Sequence, residues 1–127
     1  MDCDIDFQPT ATPLAVRLDT TLFRQVLTNI LRNGIEANPS RRVRFVISLE
    51  ALESVAALRI ANDGAPVPTE IVDRMFDPYI STKSGKENMG LGLAIVKKIV
   101  LEHGGDVRYE ERDAHPQFVL TLPRVLA

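Results

Sequence analysis

Residues 19–61 read DTTLFRQVLTNILRNGIEANPSRRVRFVISLEALESVAALRIA, and two hydrophobic periods meet within them. In the first half Leu22, Phe23, Val26, Leu27, Ile30 and Leu31 recur at three- and four-residue steps, the spacing of one buried helix face. Asp19-Thr20-Thr21 supplies N-cap chemistry in front and Asn38-Pro39 stops the run, which predicts a helix over 20–37. In the second half Val43, Phe45, Ile47 and Leu49 alternate with Arg44, Val46, Ser48 and Glu50, and a second apolar run covers 55–61. These runs read as an antiparallel strand pair. A one-sided helix beside half-buried strands buries its stripe on them, so helix-on-sheet layers follow.

Outside this stretch, 14–18 is a short apolar strand candidate ahead of the helix. Residues 62–68 hold Gly64, Pro66 and Pro68 and read as a turn, and 69–75 as a short helix capped by Thr69. Between 77 and 89 no period survives, which predicts a mobile surface loop of a length that usually carries function. Gly90 then opens a helix whose stripe is Leu91, Ile95, Val96, Ile99 and Val100, with His103-Gly104-Gly105 as its glycine C-cap. Strands over 107–111 and 118–122 close the chain, joined by a polar connection at 113–116. The expected fold class is α/β (α+β): a two-layer sandwich, its sheet mixed and mostly antiparallel, with about three helices on one face.

A length of 127 residues suits one domain, 1–127, with one core. Fifteen basic against seventeen acidic residues give a net charge of -2, which offers no field for a nucleic-acid backbone or an anionic membrane surface. Phosphate chemistry, if present, is local. The single cysteine, Cys3, makes neither an internal disulfide nor a cysteine zinc site. No apolar run approaches the roughly 20 residues of a membrane span, and the acidic opening MDCDIDF is unlike a signal peptide, so the cytoplasm is the expected address.

Three polar features interrupt the apolar pattern. Asn29, Asn33 and Glu36 share one face of the first helix, where they either cap and face water or, through hard neutral amide oxygens, help hold a magnesium ion that rides on phosphates. Gly90-Leu91-Gly92-Leu93 at a helix start either makes room for packing or lets backbone N–H groups approach a phosphate, with Thr82, Lys83 and Lys86 nearby in sequence. A dinucleotide fold is disfavoured, because its glycine turn follows a parallel strand near the start of a domain. Asn62-Asp63-Gly64 is either a bare turn or one whose side-chain oxygen accepts from the exocyclic amine of a base. Neither His103, at a helix end, nor His115, in a hairpin connection, reads as more than surface structure.

Taken in order, these segments resemble the catalytic, ATP-binding domain of bacterial sensor histidine kinases, in the wider superfamily of gyrase B, Hsp90 and MutL with its Bergerat-type ATP-binding fold. QVLTNILRN (25–33) matches the N box, NDG (62–64) the first glycine box, FDPY (76–79) the F box, and GLGLAIV (90–96) the second glycine box. The resemblance implies Mg2+ and ATP as cofactors. Asn29 and Asn33 are then the catalytic and metal-side residues, and Asn33, Asn62, Asp63, Gly64, Phe76, Thr82, Lys83, Gly90, Leu91, Gly92 and Leu93 the nucleotide contacts. Ser81-Thr82-Lys83 in the lid is similar to the nitrogen-regulation branch.

By the same resemblance the γ-phosphate passes to a histidine on a separate dimerisation domain and onward to a response regulator. No such histidine segment precedes the N box, so the chain reads as a domain that binds ATP or ADP without completing transfer alone, monomeric, with no nucleic-acid or direct membrane contact, in the cytoplasm or at the cytosolic end of an anchored sensor. Four departures mark it: Asn62 stands where the family has aspartate, Pro66 where it has the second glycine, Gly34 where alanine is common, and Asn88 where a glycine often precedes the Gly90 pair. Asn29 stands where gyrase-like ATPases carry a glutamate, which argues against water activation. Glu36 is not assigned as a base. The rival readings are an anti-sigma-factor serine kinase and a degenerate nucleotide-binding docking module without catalysis.

Overall fold

The structure is a computed structural model that describes residues 3–78 and 91–125. Eight elements follow one another: β1 (Cys3–Gln8), α1 (Thr20–Glu36), β2 (Val43–Ala51), β3 (Val55–Asn62), α2 (Thr69–Val72), α3 (Gly92–Glu102), β4 (Asp106–Arg112) and β5 (His115–Pro123). The strands form one sheet in the order β1-β2-β3-β5-β4. Only β1 against β2 is parallel, so the sheet is mixed and mostly antiparallel as expected.

Register places one residue from each central strand in every inward row. Ile47 faces Ile60, which faces Phe118, which faces Tyr109; the next row runs Leu49, Leu58, Leu120 and Val107. Phe23, Val26 and Ile30 of α1 and Val96, Ile99 and Val100 of α3 are buried with Val43, Phe45, Ile60, Phe118, Leu120 and Leu122 in one core cluster. Each such side chain contributes roughly 1.5–3 kcal/mol by leaving water. The helix stripes read from the sequence are therefore the core stripes.

The first strand is a correction. Residues 14–18 form no sheet strand; Val16 makes one isolated bridge to Arg124, and Val125 donates its N–H to Ala15 O at 2.8 Å. The strand lies at Cys3–Gln8, where Cys3, Ile5 and Phe7 alternate with Asp4, Asp6 and Gln8. That period of two is plain in the sequence. Pro9 and Pro13, which lack N–H donors, bound the stretch between this strand and the bridge.

Local chemistry sets the helix ends. The Asp19 side chain accepts from Leu22 N–H at 3.0 Å and caps α1 as expected. Thr69 makes no side-chain cap, because Pro68 occupies that position, and α2 is only a single turn, Thr69–Val72. Helix α3 starts at Gly92, two residues after the expected Gly90, which lies outside the described residues. Its far end closes with Gly104 at φ +79°. His103 is more than surface structure: Nδ1 donates to Ile99 O at 2.8 Å, Nε2 accepts from Asp19 N–H at 2.9 Å, and the ring meets Phe23 edge-on. It ties the start of α1 to the end of α3.

Between β4 and β5 the connection is tighter than the sequence suggested, a two-residue turn with Asp113 at φ 54° and Ala114 at φ 64°. Asparagine, aspartate and glycine tolerate this region, but alanine's Cβ crowds the following carbonyl there at a cost of roughly 1–2 kcal/mol. Glycine gives back part of that relief through its looser unfolded chain. Ala114→Gly is expected to raise unfolding stability by about 0.5–1 kcal/mol, read as a higher urea midpoint at unchanged slope.

Candidate functional site

Helix α1 carries a polar edge beside its buried stripe, and this edge meets the start of α3. Asn29, half-buried, donates from Nδ2 to Gly92 O at 3.3 Å. That commits the amide nitrogen to α3 and leaves the oxygen as the ligand-capable atom of the group. Asn33 and Glu36, one and two turns further on, are also half-buried. Leu91 and Gly92 open α3 with no side-chain cap, so the first N–H groups of the helix depend on another acceptor. An ideal Cβ on Gly92 would stand 4.0 Å from Asn29, ordinary contact, so packing against Asn29 does not by itself demand glycine.

The turn after β3 is braced from four sides. Asn62 is buried at 8% exposure, and its Oδ1 accepts Gly64 N–H at 2.8 Å. Asn38, just past α1, donates from Nδ2 to Gly34 O at 2.8 Å and accepts Ala65 N–H on Oδ1 at 3.1 Å. This carboxamide fills the space above Gly64, where a Cβ would fall 2.7 Å from Asn38 Cγ. His115 donates from Nδ1 to Gly64 O at 2.9 Å. Arg41 grips Asp63 with two bonds, Nη1 to Oδ1 at 3.1 Å and Nη2 to Oδ2 at 2.9 Å, and Arg44 N–H donates to Oδ1 at 3.0 Å.

The contacts within this turn involve both residues expected to read a base. The Asn62 oxygen, expected to accept from a base amine, also accepts Gly64 N–H, which orients the carboxamide within the turn. Asp63, the alternative reader, is turned to Arg41 and the β2 backbone. The hydrogen bonds from Arg41, then from Arg44 N–H, hold its carboxyl below the usual carboxylate range. The Phe76 ring meets Phe118 edge-on at 6.3 Å, with Lys97 Nζ 5.8 Å from its centroid. Lys97 is held by Asp106 at 2.7 Å. Leu93 packs on the core cluster, whereas Leu91 is exposed.

The structure thus brings Asn29 and the start of α3 together, and sets the Asn62 turn beside Gly34, one residue after Asn33. Thr82, Lys83 and Gly90, expected to meet the phosphates, lie outside the described residues, as do Tyr79 and nearly all of the expected loop. The contributions of Asn38, Arg41 and His115 went unread. The signal for Asn38 was its place directly ahead of Pro39, which had been read only as a helix stop.

Comparison with known proteins places these features in a family. The model of the histidine kinase-, DNA gyrase B-, and HSP90-like ATPases matches residues 18–126. Sporulation kinase D of Bacillus subtilis is 33% identical over 115 residues, 90% of this chain and 22% of that protein. Nitrogen regulation protein NtrY of Azorhizobium caulinodans is 35% identical over 109 residues, 81% of this chain and 14% of that protein. Nearly equal identity to a sporulation and a nitrogen regulator does not single out the nitrogen-regulation branch. The nucleotide-free catalytic domain of histidine kinase ThkA superposes with a TM-score of 0.81 at 32% identity, covering 96% of this chain and 80% of that one. The same kinase in complex with response regulator protein TrrA gives 0.77 at 31% identity, over 97% of this chain and 34% of that one. The chain spans about a fifth of its curated relatives' length.

The Asp63 brace has a testable pH signature. Because its folded pKa is depressed, its contribution is present above the unfolded value of about 3.9 and is lost as pH falls through the lower folded one. Asp63→Asn is therefore expected to unfold at lower urea than the parent at pH 7. The difference should shrink steadily on acidification below about pH 4, measured by urea titrations across that range.

Proposed function

Given that this chain belongs to the histidine kinase-, DNA gyrase B-, and HSP90-like ATPase family and is a histidine kinase catalytic domain, we propose that its cleft holds Mg-ATP between α1, the 62–64 turn and the start of α3. There it presents the γ-phosphate to a histidine on a dimerisation module, from which a response regulator draws it. The observation that carries this reading is the 3.3 Å bond from Asn29 to Gly92 O, which sets the polar edge of α1 against the opening of α3.

The donor set suits magnesium. Among the described residues no group of three or more histidine, cysteine, aspartate or glutamate side chains could form a protein cage for a metal. Asn29 and Asn33 instead offer neutral amide oxygens, which fits an ion that keeps waters and rides on phosphates. Bound there, magnesium would supply charge neutralisation to the phosphate oxygens. The chain's own part is positioning. Asn29 holds its oxygen in place through its bond to α3, Asn33 extends the same edge, and the uncapped N–H groups of α3 receive phosphate oxygens. Thr82, Lys83 and Gly90 are proposed as further phosphate contacts, on the strength of their place in the sequence. No residue need remove a proton from water, since the acceptor is a protein histidine.

Among the described residues no helix is long and apolar enough to cross a membrane. A cytoplasmic position, where ATP is abundant, suits this activity and belongs to the proposal.

Asn33→Ala tests the metal role. In magnesium the variant is expected to bind ATP about tenfold or more weakly than the parent, and in EDTA the two should bind alike, by calorimetry. Transfer to a separately supplied dimerisation domain should fall with it. Equal affinities in magnesium would remove Asn33 from the metal's surroundings.

A further inference from the structure

Strand β1 ends the sheet, paired with β2 alone from Cys3 opposite Val43 to Gln8 opposite Ser48. Its far side has no strand neighbour among the described residues, so its outward N–H and C=O groups form an open ladder. Cys3, Ile5 and Phe7 continue the rows of Val43, Phe45 and Ile47 on the face that the helices cover. Phe45 is fully buried, whereas Ile5 and Phe7 are each 52% exposed. The helix layer therefore stops at β2 and leaves two large apolar side chains bare on β1. The opposite edge of the sheet is different. There α3 packs over β4, Lys97 bridges to Asp106 at 2.7 Å, and Val107 is buried.

The other face of β1 carries Asp4, Asp6 and Gln8. Asp4 is bridged to Arg42 at 3.0 Å, and Asp6 forms no ion pair among the described residues. The edge thus presents apolar side chains on one face and carboxylates on the other. A second copy fits it poorly. Two such edges paired antiparallel about Ile5, with their helices on the same side, would set Asp4 against Asp6 twice, and like charges directly opposite repel. A strand with basic residues at those places gains where a second copy loses.

We propose that the edge of β1 docks an extended segment of another protein, one in which basic residues alternate with apolar ones. Such a segment extends the sheet by backbone pairing, lays its apolar side chains on Ile5 and Phe7, and sets its cations against Asp6 and Asp4. Backbone bonds supply the affinity in this mode, and the alternation supplies the choice of partner. The surface is separate from the nucleotide reading, since β1 carries none of the residues assigned to ATP above.

The experiment is fluorescence anisotropy of a labelled peptide of alternating lysine and valine, titrated with the chain. It is expected to bind at least about tenfold more tightly than a peptide of alternating glutamate and valine, and Asp6→Lys should reverse that order. N-methylation of the amides along the peptide's pairing edge keeps every side chain and removes the donors, and should weaken binding by at least about tenfold. Equal binding of the lysine and glutamate peptides, or no binding of either, overturns the proposal. So does an unchanged order in a folded Asp6→Lys variant. Undiminished binding of the N-methylated peptide overturns it as well, by reducing the contact to charge attraction without strand pairing. The parent's own ranking of the three peptides decides the matter even where the Asp6 variant does not fold.

Discussion

Everything in this domain hangs on the close seating of α1 against the sheet. The helix presents Phe23, Val26 and Ile30 to the core and meets β2 and β3 at Gly34, the point where it has no side chain. A methyl group there would fall 2.9 Å from Phe45 Cζ and 3.0 Å from the Asn62 amide nitrogen, inside van der Waals contact, in an interior that has little room to yield. The same helix carries Asn29 and Asn33 on its adjoining edge. Core packing and the candidate site are therefore set by one rigid body, and its rotation by one residue would lose both.

A second layer of control is polar and local. Asn38 links the last turn of α1 to the backbone after Gly64, Arg41 and Asp63 pin the turn to β2, and His115 reaches it from the β4–β5 hairpin. Most of these groups are partly exposed, and such contacts add modestly to stability one at a time. Their joint effect is positional. Three separate parts of the chain converge on three residues, and the Asn62 amide is left with one orientation. At the other end of the helix pair His103 performs a similar duty, joining the first turn of α1 to the last of α3.

This arrangement links two departures from the family pattern. Asparagine for aspartate at 62 and glycine for alanine at 34 look like independent changes in the sequence. In the structure they touch, and the smaller residue makes room for the amide. Asn29 and Asn33 stand on α1, across from the helix start of α3 that has no side-chain cap.

How much was legible from the sequence follows from the range of each interaction. Periodicity located α1, the β2–β3 pair and α3, because side-chain spacing in regular elements is a local property of the backbone. It also held β1 in the alternation of 3–8, although an apolar run at 14–18 drew the eye first. The four boxes identified the family, since their order along the chain is itself sequence information. The tertiary structure alone decided that Asp63 serves Arg41 and that Phe76 packs on Phe118, whereas the bond from Gly64 N–H to the Asn62 oxygen is local turn chemistry. The first two outcomes, and the bond of His115 to Gly64, depend on contacts between residues far apart in the chain, whose partners no local spacing specifies. Residue type told which chemistry each side chain could perform; only the fold determined which neighbour had already claimed it.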